Sequence, residues 1–326
     1  MADGAPRPVK ARGASAPSEP LPAIRDRFLV VDDFLPIELA QAMRAGIDAH
    51  FADPQQHTAE THQVWNYWFV PELYAYLRTK PEKVIEQDTV QQFHDALRNW
   101  AMQTLGLGRV SWPYLSLYVP GCRQTLHNDS VNGRFGFVYS LTRNERQTIG
   151  GDTIVHHEGD PFRNLSASPA AGRSFYDAIA PRFNRLVIFD DRMPHAVERV
   201  DGSMDPVEGR FVLHGHISES GPAVAGALHP DAVVDGARQA IQAFTVAHFL
   251  EGYQGLLSAQ IDIQPNGTVS NCRLLLDRVI HPDARDTRWP GLTHALLGCL
   301  AAARFPAANG PSRLMLPIIF GAPITR

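Results

Sequence analysis

The spacing of apolar positions changes twice along the chain, near Val110 and again near Gly221-Pro222. Before the first change, Phe28-Leu29-Val30-Val31 reads as a strand running into a turn that ends at Pro36. Residues 37–51 carry the spacing of an amphipathic helix. The aromatic group Trp65, Tyr67, Trp68 and Phe69 then precedes a short predicted helix over 72–77. A longer helix is predicted over 87–105, with Phe93, Leu97, Trp100 and Leu105 on its buried stripe.

Past Val110, short apolar runs alternate with Gly, Pro, Asn and Asp. They fall at 114–119, 135–141, 151–155, 186–189 and 211–217. That texture predicts an antiparallel sandwich or jelly roll, with the preceding helices covering an outer face. Residues 156–181 carry no regular pattern and are expected to loop over the barrel mouth.

After Gly221-Pro222 a helix is predicted over 237–250. Strands at 256–263 and 268–276 follow, joined by the turn Gln264-Pro265-Asn266-Gly267. A helix over 292–304 and a strand over 314–320 complete this part. The expected fold class is α+β: a double-stranded β-helix (jelly roll) with covering helices, plus a small C-terminal αββαβ domain. The expected boundaries are a disordered tail at 1–25, the jelly roll at 26–221, a linker helix at 222–250 and the C-terminal domain at 251–326.

Composition narrows the partners. A net charge of −4 over 326 residues gives no electrostatic reason to expect nucleic acid or an anionic membrane surface. No apolar run approaches the length of a bilayer span. Residues 1–19 lack the apolar middle of a secretory signal, so a cytoplasmic location is expected. Cys122, Cys272 and Cys299 form no Cys-x-x-Cys pair, which disfavours a thiolate zinc site. No base pairs with Cys122 in the sequence pattern, so it reads as a packed side chain.

The candidate chemistry sits in Leu126-His127-Asn128-Asp129 and in Pro194-His195, which follows the apolar run Arg185-Leu186-Val187-Ile188-Phe189. On a strand, residues i and i+2 share a face, so His127 and Asp129 can grip one ion from one side. His195 from a distant strand completes two imidazoles and a carboxylate on one face, which leaves the opposite positions open as non-haem Fe(II) oxygenases require. Arg210 suits the far carboxylate of a keto-acid cosubstrate, because a guanidinium pairs bidentately where an ammonium does not. Arg210, Val212 and His214 fall on one face of their predicted strand. The neighbouring residues His156, His157 and Glu158 are expected as surface loop groups, and Asp190 and Asp191 as solvated groups or supports of the distal ligand. Arg134, Arg143 and Arg146 are candidates for an anionic substrate, although solvated charges are the commoner outcome. The aromatic group at 65–69 either lines a peptide groove or packs between helix and barrel.

The run Tyr-Leu-Ser-Leu-Tyr-Val-Pro-Gly-Cys-Arg-Gln-Thr-Leu-His-Asn-Asp at 114–129 resembles the metal-binding core of the prolyl 4-hydroxylase-like 2-oxoglutarate/Fe(II) oxygenases. Gly150-Gly151-Asp152-Thr153, the strand leading to His195, and Gly209-Arg210 extend the resemblance across 28–220. It implies that His127, Asp129 and His195 bind iron and that Arg210 binds 2-oxoglutarate, with a hydrogen bond from Tyr118 to the same carboxylate. The implied cofactors are Fe(II), 2-oxoglutarate as cosubstrate and O2, with L-ascorbate among the associated small molecules. The implied reaction is hydroxylation of a C–H bond on a peptide or amino-acid side chain. Residues 201–208 look like a small insertion relative to this family, and His214 and His216 stand where a Trp is common. Asp129 argues against a halogenase, in which halide replaces the carboxylate.

A second resemblance covers 256–320. The hairpin glycine Gly267, the helix end Ala303-Arg304-Phe305-Pro306 and the closing strand Pro317-Ile318-Ile319-Phe320 are similar to the C-terminal domain of TonB-type energy transducers and related gliding-motility proteins. That implies a module binding a protein or peptide partner, with an edge for strand addition at its last strand. Strand and helix packing there leaves a Cys272–Cys299 bridge open as an alternative, with a reduced pair the expected state in a cytoplasmic protein. The rival expectation is therefore a non-catalytic adaptor, in which a spent oxygenase fold carries this binding module.

Overall fold

The computed structural model describes residues 23–52, 64–156, 176–283 and 285–321. The expectations for the tail, for most of the loop 156–181 and for His157 and Glu158 lie outside these residues. Backbone contacts divide the chain into two units. The first comprises 27–97 and 110–217. Of the described residues, the second draws on 23–26, 98–109, 218–283 and 285–321.

The helices among the described residues are α1 (Ile37–Phe51), α2 (Gln87–Leu105), α3 (Pro230–Ala247) and α4 (Trp289–Ala302). The strands begin with β1 (Phe28–Val31), β2 (Asn66–Val70), β3 (Tyr74–Thr79), β4 (Arg109–Val110), β5 (Tyr114–Tyr118) and β6 (Arg123–His127). Then come β7 (Phe135–Ser140), β8 (Thr148–Ile149), β9 (Thr153–His156), β10 (Tyr176–Ile179), β11 (Arg185–Asp190) and β12 (His195–Val197). The last are β13 (Asp201–Gly202), β14 (Arg210–Ser218), β15 (Ala223–Gly226), β16 (Gln254–Ile263), β17 (Val269–Ile280) and β18 (Ser312–Phe320).

In the first unit the strand order is β1-β11-β7-β14-β5-β3-β6-β12-β9-β10, with antiparallel pairing throughout. The sheet curls on itself. Phe189 of β11 and His195 of β12 stand near opposite ends of that order, yet their ring centroids are 4.4 Å apart. This is consistent with a jelly-roll-like fold. The β11 run is buried at all positions, as a strand covered on both faces requires. Helix α1 is tied to the sheet by Arg44, which donates to the carbonyls of Leu141 (3.0 Å) and Val207 (2.7 Å) and pairs with Asp48.

The helix predicted over 72–77 is instead a strand. Residues Asn66–Val70 and Tyr74–Thr79 form an antiparallel hairpin with Tyr67 opposite Leu77 and Trp68 opposite Tyr76. Glu72 takes a positive φ of 66° at the turn. Pairing of β3 with both β5 and β6 overrides the local helix preference of Glu72-Leu73-Tyr74-Ala75.

Asn184 holds the entry to β11. It is a left-handed residue (φ 59°), buried, whose Oδ1 accepts from the Leu35 amide (3.0 Å) and the Tyr139 hydroxyl (2.8 Å). Its Nδ2 donates to the Leu35 carbonyl (2.9 Å). Asn184→Ala strands these partners without water, so a stability loss of about 3–4 kcal/mol is expected. Chemical denaturation checks it; an unchanged midpoint would refute this role for the side chain.

The second unit has the sheet order β15-β18-β16-β17 with α3 and α4 contributing to its core. Residues 222–250, expected as a linker, contain α3, whose Val233, Ala237 and Phe244 are buried in that core. The Asn-Gly turn does join β16 to an antiparallel β17. Along β18 burial alternates strictly from Ser312 to Phe320. Over Ser312–Met315 that strand pairs on both sides, so the edge expected at the last strand is partly covered by β15. The edge of β17 is partly taken too: the Ile24 amide donates to Leu275 (2.8 Å) and the Asp277 amide to Ile24 (2.9 Å). Cys272 and Cys299 are free thiols. No helix among the described residues is long and apolar enough to cross a membrane.

Candidate metal centre

Strand β6 ends at His127, and β12 begins at His195, its direct cross-strand partner. Asp129 lies just beyond β6, in the turn rather than on the strand as expected, and is anchored by its amide to the Asp191 carbonyl (3.0 Å). The outcome is nevertheless one cluster. One ligand atom each from His127, Asp129 and His195 lie within 4.8 Å of one another. Asp129 Oδ2 is 4.0 Å from His127 Nε2 and 3.4 Å from His195 Nε2. Its Oδ1 accepts from Asn132 Nδ2 at 3.2 Å.

The backbone settles both tautomers. His127 Nδ1 contacts the Thr125 carbonyl (2.7 Å), and His195 Nδ1 contacts the Met193 carbonyl (3.0 Å). A carbonyl only accepts, so each Nδ1 carries the proton and each Nε2 presents a lone pair to the cluster centre. Burial and the neighbouring His195 push the His127 pKa down, which favours the neutral, ligating form. Burial would raise the Asp129 pKa, but whenever the imidazoles are protonated, the His195 hydrogen bond and their charges outweigh it and bring it to about 2; a metal ion on Nε2 takes the place of those protons. Two neutral imidazoles and one carboxylate, converging from one side, fit a divalent first-row metal such as Fe(II).

The cluster lines a cavity of about 220 Å3 whose floor holds Arg210. Arg210 opens β14 and is only 1% exposed. Its Nη2 donates to Thr153 Oγ1 (3.1 Å), but Nε and Nη1 are buried with no partner. Its Cζ lies 4.7 Å from the centroid of the buried Tyr118 ring. The left-handed Gly151 makes room for it: a Cβ there would come within 3.0 Å of Arg210 Cδ. A buried guanidinium with idle donors costs several kcal/mol unless an anion satisfies it. The donors therefore fit a carboxylate entering the cavity, as a keto diacid would supply. The Tyr118 hydroxyl, expected to point to that carboxylate, donates here to Gln124 Oε1 (2.8 Å).

Several expectations fall elsewhere. His156 closes β9 and packs against Tyr176, and is not part of the His127–Asp129–His195 cluster. Arg143 pairs with Asp48 and Glu208, and Arg146 donates to backbone carbonyls at Arg143 and Gly150. Neither these two nor Arg134 lines the cavity. Within β2 the aromatic group divides by strand alternation: Trp68 faces the cavity, and Tyr67 and Phe69 stack on the other face at 62% and 57% exposure. Trp65, just before the strand, packs on Phe51 and Phe211. Cys122 is buried beside Tyr118, and burial pushes its thiol up, as suits a packed side chain. Asp190 pairs with Arg192, while Asp191 is fully buried and bonds His216 Nδ1 at 3.0 Å.

Sequence reasoning passed over Gln124, the Asp191–His216 pair and Arg78, all at or beside the cavity. Each owes its place to pairing between distant strands, for which a single sequence carries little signal.

The sequence matches no family model and no curated protein. Solved structures similar to the chain include a Pseudomonas putida prolyl-4-hydroxylase, 18% identical, covering 59% of this chain and 92% of that one at a TM-score of 0.41. A Trichoplax adhaerens prolyl hydroxylase, solved with a hypoxia inducible factor peptide fragment, is 14% identical over 58% of this chain and 81% of its own, at 0.41. The non-heme alpha ketoglutarate dependent epimerase SnoN from nogalamycin biosynthesis is 13% identical over 59% and 77%, at 0.41.

Proposed function

We propose that the chain is an Fe(II)- and 2-oxoglutarate-dependent dioxygenase that hydroxylates a C–H bond of a peptide or amino-acid substrate. The observation that carries this reading is the conjunction in one cavity of a converging His127–Asp129–His195 set and a buried guanidinium with idle donors. In this reading His127, Asp129 and His195 hold the metal, and Arg210 receives the far carboxylate of 2-oxoglutarate beside Tyr118. The chemistry supplied by Fe(II) and 2-oxoglutarate, when bound, is O2 activation coupled to decarboxylation of the keto acid to succinate, with one oxygen atom inserted into the substrate. The chain's own part is orientation and exclusion of water. The Thr125 and Met193 carbonyls keep the imidazoles aimed, Asn132 steadies the carboxylate, and the apolar walls Val197 and Val212 keep the interior dry.

The adaptor alternative leaves Arg210 unexplained. A spent site gains nothing from burying an unpaired cation, and substitution by an apolar residue would relieve it. The test is anaerobic titration of the purified chain with Fe(II) and then 2-oxoglutarate. A visible charge-transfer band, followed on admitting air by slow succinate formation, is the expected result. A folded chain that takes up no iron would remove the proposal.

A further inference from the structure

We infer that the substrate of this site carries a carboxylate, received at the cavity mouth by Arg78 between the rings of Trp68 and Tyr114. The inference rests on the oxygenase reading above and adds the chemical class of its substrate.

One face of three adjacent strands builds the wall concerned. Arg78 on β3 stands opposite Asn66 of β2 and Ser116 of β5, so its diagonal neighbours are Trp68 on one side and Tyr114 on the other. The guanidinium carbon lies 3.8 Å from the Trp68 ring centroid and 4.1 Å from that of Tyr114. Both rings are partly exposed at 39% and 42%, and Trp68 and Arg78 line the cavity. Rings from both sides restrict the planar cation to one orientation; it also approaches the Tyr76 hydroxyl, and its remaining edge donors are left for a ligand. No carboxylate among the described residues pairs with Arg78.

Charge accounting isolates it further. With the site loaded, two charges on iron and one on Arg210 balance Asp129 and the two carboxylates of 2-oxoglutarate. Asp191 is committed to His216. His214, whose ring bonds Ser116 Oγ at 2.8 Å, is held neutral: burial first, then the charge of Arg78, push its pKa down to about 3. Arg78 is the cation left over, at the entrance, prearranged for a bidentate partner. A neutral substrate would leave that arrangement idle.

The experiment uses the full chain loaded anaerobically with Fe(II) and 2-oxoglutarate, and reads ligand binding by saturation-transfer NMR. The probes are free L-amino acids with their amides, short peptides with free or amidated C-termini, and amidated peptides containing Asp or Glu against Asn or Gln. These arms separate a free amino acid, a chain terminus and an acidic side chain as the source of the carboxylate. At least one acid should bind roughly ten- to a hundredfold more tightly than its amide. Arg78→Gln should abolish that preference while the 2-oxoglutarate charge-transfer band forms as before, and Arg78→Lys should keep only part of it. An absence of acid preference in the unmodified chain overturns the inference without recourse to any variant. So does a preference that survives Arg78→Gln, and so does a variant that loses 2-oxoglutarate, because Arg78 would then serve the cosubstrate. If the band never forms in the unmodified chain, the oxygenase reading fails separately, and binding of acids to the metal-free chain still reports on Arg78.

Discussion

Asp129→Ala is expected to lower Fe(II) affinity by more than about a hundredfold while leaving the chain folded. The lower bound follows from residues that merely support a metal ligand, whose loss typically costs roughly 10- to 100-fold; Asp129 is proposed as a ligand itself. The fold should survive because what anchors this turn is the Asp129 amide bound to the Asp191 carbonyl (3.0 Å), and alanine keeps that amide. The side chain contributes only the bond from Asn132 (3.2 Å) and its approach to the two imidazoles. Iron content after anaerobic loading and thermal unfolding of the metal-free chain check the two halves. Retention of stoichiometric, tightly bound iron by the variant would exclude Asp129 from the coordination set.

Arg210→Met should move stability and ligand binding in opposite directions. The methionine has comparable length and no charge, and Nε and Nη1 of the arginine are already without partners. Replacing buried ionic groups by apolar residues of similar volume is often neutral or stabilising by about 1–4 kcal/mol, and Arg210 has no ion partner to lose, so the ligand-free variant should melt at a higher temperature. In exchange the cavity loses the group proposed to hold the cosubstrate. Removing one partner of a buried charged pair costs about 2–5 kcal/mol, which corresponds to a fall in 2-oxoglutarate affinity of about thirtyfold to a few thousandfold. Few structural arginines behave this way, since loss of a purely structural one lowers stability and leaves ligand affinity alone. A variant that is less stable and binds 2-oxoglutarate normally would sink the assignment of Arg210 to the cosubstrate.

The parts of this molecule that were legible in sequence are those whose signal is local. The strands now seen at Phe135–Ser140, Arg185–Asp190 and Arg210–Ser218 are uninterrupted or alternating apolar runs between turn residues. His127, Asp129, His195 and Arg210 were likewise found from short-range spacing and from their position beside such runs. The structure brings the first three together and places the fourth in the same cavity. What escaped depends on register between distant strands. Leu73-Tyr74-Ala75-Tyr76-Leu77 has the composition of a helical turn, and pairing with β2, β5 and β6 makes it a strand. With that strand misread, Arg78 had no visible relation to Trp68 or Tyr114. Asp191 and His216 follow from strands that flank β7 on either side and meet across Gly136, where a Cβ would come within 3.0 Å of Asp191 Oδ1.

The course of the backbone also governs how the gene can be divided. The chain passes from one unit to the other at 26–27, 97–98, 109–110 and 217–218, and the second of these crossings falls inside α2. Within the second unit, Ser258 donates from its hydroxyl to the Leu105 carbonyl, and Ile24 completes part of the edge of β17. A fragment of residues 218–326 therefore lacks both of those segments, and a stop codon after Gly221 strands them in the other product. Fusions, duplications or swaps of either half by a single junction should give insoluble chains, so this pair of units is expected to be inherited together.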